Sequence, residues 1–442
     1  MTLLASYESA ALASAQKNAR APAWICVSLL FSCMLLNYAD RAVIGLAAKP
    51  IIEELKLTPS QFGLVGSSFF FLFSISAALT GFALARVKSR FVLLGLVGIW
   101  SLVQFSVLGV ASLEMLIVTR MALGAGEGPA YPMALHAAYK WFPDEKRTLP
   151  TAIITQGSAL GVVVATPVLS WIIIHYSWRA AYGALGLCGL LWLIVWALFG
   201  REGPINTAVT AAGKRLQPAS WRRLILNGTV LGSIFATFAA YWSLALTLSW
   251  FTRYVGAALG FSQQTAGSLT ALPWAGGVFL LMFVGWFSQR LMSTGHSSRV
   301  ARVLFVCAIG LAGGACLLAL PFAHFIALKL ALVCFGLVLP NAIIVPGQAI
   351  IGEVSPVAQR AALLGLANAI AGVAGLIAPY LTGRLIEAFP GSAIGYDLGF
   401  AVCGLVVCLA NVLGLLLIRP ARDAERLQEK AVPEAPVGAQ AF

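Results

Sequence analysis

Apolar residues run along this chain in blocks of twenty or more, separated by short polar stretches. Blocks this long are neither the stripe of an amphipathic helix nor the alternation of a half-buried strand. They match the length an α-helix needs to cross the hydrocarbon core of a bilayer, about 20 residues. Twelve spans are predicted, at about 24–48, 60–84, 91–111, 113–138, 148–174, 179–200, 224–255, 263–289, 300–322, 325–351, 360–388 and 395–418. In lipid each backbone polar group must be satisfied within its own segment, so these spans are helices. The predicted fold is an all-α membrane protein of twelve transmembrane helices, arranged as two six-helix halves.

The halves are legible as a repeat. Gly81 to Arg86 after the second span matches Gly285 to Arg290 after the eighth. Pro143 to Arg147 matches Pro356 to Arg360, and each of those arginines is followed about twenty residues later by a proline, Pro167 or Pro379. The predicted organisation is a tail (1–23), an N-terminal bundle (24–200), a linker (201–223), a C-terminal bundle (224–418) and a polar, disordered tail (419–442). Repeated halves are how many secondary transporters alternate access to a central site.

Composition narrows the function. Of 442 residues, 60% are hydrophobic and 10% charged, which leaves no room for a large soluble domain. The net charge of +13 would suggest nucleic acid in a soluble protein. Here the basic residues sit in short loops: twenty-one lysines and arginines fall on the side of the termini, six on the other, and two inside spans. The positive-inside rule then places both termini in the cytoplasm, and nucleic acid is not expected as a partner. The first apolar run is long enough to span, so no cleaved signal peptide is expected. The predicted outer loops carry no glycosylation acceptor, which favours a bacterial inner membrane. The eight cysteines fall in apolar stretches without ligand spacing and are read as small buried hydrophobes, with no metal or disulfide implied. Trp250 and Tyr254, near an outer span end, read as an interfacial aromatic belt.

Four ionisable residues lie deep inside spans: Asp40 and Arg41 in the first, Arg120 and Glu127 in the fourth. Each costs roughly 3 kcal/mol if it faces lipid unpaired, so such residues mark function by default. Their charges sum to zero, which permits mutual pairing. Arg120 and Glu127 share one helix face, roughly 10 Å apart along the axis, and Tyr131 shares it too. Asn37, Tyr38 and Arg41 share a face of the first span, while Asp40 points about 100° away. An arginine fork facing a cavity matches a carboxylate. Burial favours the neutral form of a carboxyl group, so Glu127 is a candidate proton carrier. Asp40 and Arg120 read either as a packing salt bridge or as part of the coupling machinery. Gly124, Gly126 and Gly128 read as close helix contacts, and Pro129 and Pro132 as a kink beside the site. Tyr241 either lines the cavity or packs; Asn368 either binds substrate or bonds a neighbouring helix.

These motifs resemble the major facilitator superfamily and, within it, the anion:cation symporter family. The resemblance rests on Asn37-Tyr38-Ala39-Asp40-Arg41, on Arg120 through Gly128, and on Trp141-Phe142-Pro143 through Arg147. It implies that Arg41 binds a substrate carboxylate, that Tyr38 lines the same site, that Glu127 carries the coupling proton, and that Asp40 titrates with Arg120 as its partner. The chain departs from the family at Ala85 and Lys88 in the loop after the second span. It also has Phe69-Phe70-Phe71-Leu72-Phe73 where a tyrosine is common, and Trp250-Phe251-Thr252-Arg253-Tyr254 without the usual proline. The phenylalanines tilt the expected substrate towards an aromatic or less hydroxylated acid. Arg253 adds positive charge near the outer mouth, where it attracts anions.

The function expected is proton-coupled symport of a small organic anion, a carboxylate such as a sugar acid or aromatic acid. The partners expected are that anion, protons and the lipid bilayer, with the chain a monomer. No cofactor and no catalytic residue are expected, the coupling ion being H+. The alternative is a proton-driven exporter of drugs or cations, which the two buried arginines would oppose.

Overall fold

A computed structural model describes residues 20–83, 87–109, 112–142, 147–204 and 220–429. Outside it lie Ala85 and Arg86, Pro143 to Lys146 of the third motif, and most of the linker. The described residues form helices throughout. They are α1 (Arg20–Leu46), α2 (Pro59–Ala83), α3 (Ser89–Ser106), α4 in two segments (Leu113–Glu127 and Ala130–Tyr139), α5 (Thr148–His175) and α6 (Trp178–Phe199). There follow α7 (Gly228–Ser249), α8 (Gln263–Ser293), α9 (Arg299–Phe322), α10 (Ile326–Val354), α11 (Val357–Ala388) and α12 (Ile394–Leu417). A final α13 covers Pro420–Glu429.

Eleven of these helices are individually long and apolar enough to cross a membrane. The twelfth span is α4, shortened into two pieces by the turn at Gly128–Pro129. Proline has no N–H to bond the preceding turn, and its ring crowds the carbonyl four residues earlier. The break therefore falls where the sequence predicted a kink. Helix starts are set by serine caps: Ser112, Ser177 and Ser262 accept bonds from the backbone N–H of Met115, Ala180 and Thr265. Gly260, with φ of 80°, supplies the left-handed turn before the last of these.

The chain divides into two compact units. The first holds α1–α6 together with Leu248–Ala275, which covers the end of α7 and the start of α8. Within it α1 packs on α5 and α2 on α4. A side chain at Gly124 would strike the Phe69 carbonyl, and one at Gly128 the Phe73 carbonyl, so these glycines let α4 lie directly on α2. Gly126 faces α3 instead, near Leu96 and Ile99. The second unit holds the rest of α7 and α8 with α9–α13. There α9 packs on α12, and α11 on α12.

Equivalent loop arginines in the two units make equivalent bonds. Arg147 donates to the Phe142 carbonyl and Arg360 to the Ser355 carbonyl, each five residues back. Pro167 and Pro379 lie inside α5 and α11.

Three expectations are corrected. Residues 420–429 of the tail form a helix rather than a disordered segment. Asp423 is buried there and accepts bonds from the Thr229 amide (3.0 Å) and hydroxyl (2.7 Å), so α13 docks on the free amide end of α7. Trp250 and Tyr254 are fully buried instead of forming a lipid-facing belt, and Trp250 packs edge-on against Phe62 of α2. Of the cysteines, Cys26, Cys33, Cys307 and Cys403 are buried, whereas Cys188 is exposed on α6.

Candidate functional site

The charged residues gather inside the first unit. Arg41 Nε donates to Glu127 Oε2 at 2.8 Å, and Arg41 Nη2 donates to Asn37 Oδ1 at 2.8 Å. The i, i+4 spacing of Asn37 and Arg41 places both on one face of α1. The close α2–α4 contact and the break after Glu127 set the depth of the carboxylate. The pair is dry: the Arg41 side chain is 6% exposed and that of Glu127 0%. Glu127 Oε1 and Asn37 Nδ2 have no hydrogen-bond partner in the protein.

Aromatic rings complete the setting of Arg41. Its guanidinium carbon lies 4.5 Å from the Tyr38 ring, 4.8 Å from Phe73 and 5.5 Å from Phe69. Tyr38 meets the edge of Trp274 at 5.6 Å between centroids, within the same unit. These π faces attract the cation without taking up its N–H donors, which bond Glu127 and Asn37. The phenylalanines of α2 therefore act as a platform for arginine. Phe69 also carries Arg120, 5.1 Å from its ring, on the way to the neighbouring cluster.

Asp40 points away from Arg41, as its position on the helix requires. The structure does not pair it with Arg120 by a hydrogen bond. Its Oδ1 accepts from Gln104 Nε2 of α3 at 2.6 Å, while Nε and Nη1 of Arg120 have no hydrogen-bond partner. Gln104, fully buried, is the residue that sequence reasoning missed. Its only signal was an amide in an apolar run.

Tyr131 follows the break in α4, and its hydroxyl pairs with Thr155 of α5 at 2.9 Å. The break removes it from the regular register with Glu127 that an unbroken helix would have given. Tyr241 and Asn368 are half-buried on α7 and α11 of the second unit.

Helices long and apolar enough to cross a membrane, with a buried charged cluster among them, are the frame of an integral membrane protein with an internal polar site. The Major Facilitator Superfamily pattern matches residues 30–339 and 234–441, and the chain belongs to that superfamily. A probable sulfoacetate transporter of Cupriavidus necator is 33% identical over 90% of this chain and 94% of its own. A hexuronate transporter of Bacillus subtilis is 28% identical over 89% of this chain and 94% of its own. The fold is that of a bacterial homologue of the human lysosomal transporter Spinster, with a TM-score of 0.74 at 18% identity over 94% of this chain and 100% of that one.

Proposed function

We propose that the protein is a proton-coupled symporter of a small organic anion that works by alternating access. The observation that carries this reading is the buried Arg41–Glu127 pair. Arg41 is the group that fits an incoming carboxylate or sulfonate, and in this state Glu127 already occupies it. An anion and the Glu127 carboxylate compete for one guanidinium. Protonating Glu127, whose Oε1 has no partner in the protein, releases Arg41, and the anion then compensates the guanidinium charge that Glu127 no longer balances. The proton and the anion then enter together, and the site holds the same net charge before and after.

Similarity to transporters of sulfoacetate and hexuronate supports an acid as substrate. The aromatic-acid preference loses its basis, since the rings of Phe69 and Phe73 face arginine. A compact, flexible carboxylate or sulfonate is the class we favour. Asp40 with Gln104, and Arg120 on Phe69, lie behind the pair, where they link its protonation to helix movement. Tyr38 and Tyr131 line the approach within the first unit. We place both termini in the cytoplasm and the chain in a bacterial inner membrane, as a monomer.

The test is proton entry into proteoliposomes on adding one acid at a time, with Arg41→Ala alongside. Proton entry with one acid in wild type, absent in Arg41→Ala, supports the reading. Movement of protons with cations alone would overturn it in favour of export.

A further inference from the structure

A second cluster of cations stands about two turns beyond the central pair, at the end of α1 predicted to face outward. A cavity of about 600 Å³, including the part open to solvent, is lined there by Gly45, Lys49, Glu53, Arg253, Gln263 and neighbouring residues. All of them belong to the first compact unit. Lys49 is carried by the short helix Ala48–Glu54 that follows α1, and Arg253 by Phe251–Arg253 that follows α7. Among the described residues, the side chains of Lys49, Glu53 and Arg253 form no ion pair or hydrogen bond. The lining therefore holds two cations against one carboxylate, an excess of one positive charge, beside the amide of Gln263.

The walls of this cavity come from opposite halves of the sequence and meet closely beneath it. A side chain at Gly45 would strike the Leu248 carbonyl, one at Gly267 would strike the Ser170 hydroxyl, and Trp250 packs on Phe62. If the protein alternates access, as the reading above holds, these surfaces separate whenever the outer side opens. A ligand that touches both walls favours the joined state by its differential affinity for the two states. A small oxyanion is what two cations and an amide recognise.

We propose that Lys49 and Arg253 form a peripheral site for a small oxyanion, and that its occupation holds the ends of α7 and α8 against α1 and α2. External anion then acts as a brake on outward opening, at a site separate from Arg41. The occupant is either the transported acid at high concentration or inorganic anion, which share the same oxygen chemistry.

The test is binding of inorganic phosphate to the full-length purified protein, paired with labelling of Phe62→Cys by a membrane-impermeant maleimide. Phe62 is fully buried under Trp250 and is reached only when that contact opens. Phosphate is expected to bind and to slow labelling. Each of Lys49→Gln and Arg253→Gln should weaken binding about fivefold, and the double variant should abolish both effects. Glu53→Gln should tighten binding, an outcome a purely structural role would not give. Arg41→Ala should leave phosphate binding unchanged, even if no acid proves to be transported. Substituting the transported acid for phosphate tells whether substrate or inorganic anion is the stronger occupant. Binding that survives the double variant, that disappears in Arg41→Ala, or that leaves labelling untouched would overturn the proposal.

Discussion

Replacing Glu127 by glutamine removes the competitor for Arg41 while keeping its shape. In the wild type an arriving anion must displace a charge-assisted bond of 2.8 Å, whereas the bond from Arg41 to Asn37 can persist. A charge-assisted hydrogen bond contributes about 1.5–3 kcal/mol, and a neutral amide acceptor roughly half as much. The variant should therefore bind the anion at least about 1–1.5 kcal/mol more tightly once Glu127 is ionised, roughly five- to tenfold, and the gap should widen as pH rises further. The pH dependence gives a sharper signature. If one proton enters with each anion, the wild-type Kd falls about tenfold for each unit that pH falls, until Glu127 is protonated without ligand. Glu127→Gln should show a flat profile that meets the wild-type curve at low pH. The assay is equilibrium binding from pH 5.5 to 8.5, combined with two transport modes. Gradient-driven accumulation should be lost and substrate counterflow retained. If the variant keeps the wild-type pH slope, or still concentrates substrate against a gradient, Glu127 is not the coupling group.

Other expectations follow from packing and from charges outside the membrane. Gly124→Ala places a methyl group on the Phe69 carbonyl, forces α4 away from α2, and should lower stability by about 1–3 kcal/mol, read as a lower melting temperature with impaired uptake. Asp423→Ala leaves the Thr229 amide and hydroxyl without their acceptor from α13. It should cost about 1–2 kcal/mol and expose Pro420–Glu429 to proteolysis before the transmembrane core is affected. Glu202 accepts from Ser89, from the Arg90 amide and from Lys140. Burial acts to raise its pKa, yet the Lys140 and backbone bonds prevail and hold it below the usual carboxylate range. Its contribution is thus present above the ordinary glutamate value and lost as pH falls through the lowered one. Melting temperature should fall on acidification below about pH 4, and Glu202→Gln should flatten that limb.

Hydropathy alone located the spans, because lipid permits only segments that satisfy their own backbone. It also marked Arg41 and Glu127, since a charge in an apolar run is too costly to be incidental. The break at Pro129 was equally local, being a property of the proline ring. Partner choice was different in kind. Whether Arg41 met Glu127, or Asp40 met Arg120, depended on how four helices rotate and how closely glycines let them approach. The fold joined Arg41 to Glu127 and gave Asp40 to Gln104, an uncharged residue whose role no spacing announced. Phe69 and Phe73 looked like a substrate surface in sequence and became seats for arginine once α2 lay on α4. Trp250 looked like an interface residue and became core, because the end of α7 packs on α2. The tail looked too polar to fold, and it is helical because one buried aspartate finds the unsatisfied amide end of α7. What the sequence determined was the solvent of each segment and the list of residues that could not face lipid. What tertiary structure decided was which of those residues met, because pairing depends on helix rotation and approach, which the order of residues along one helix does not carry.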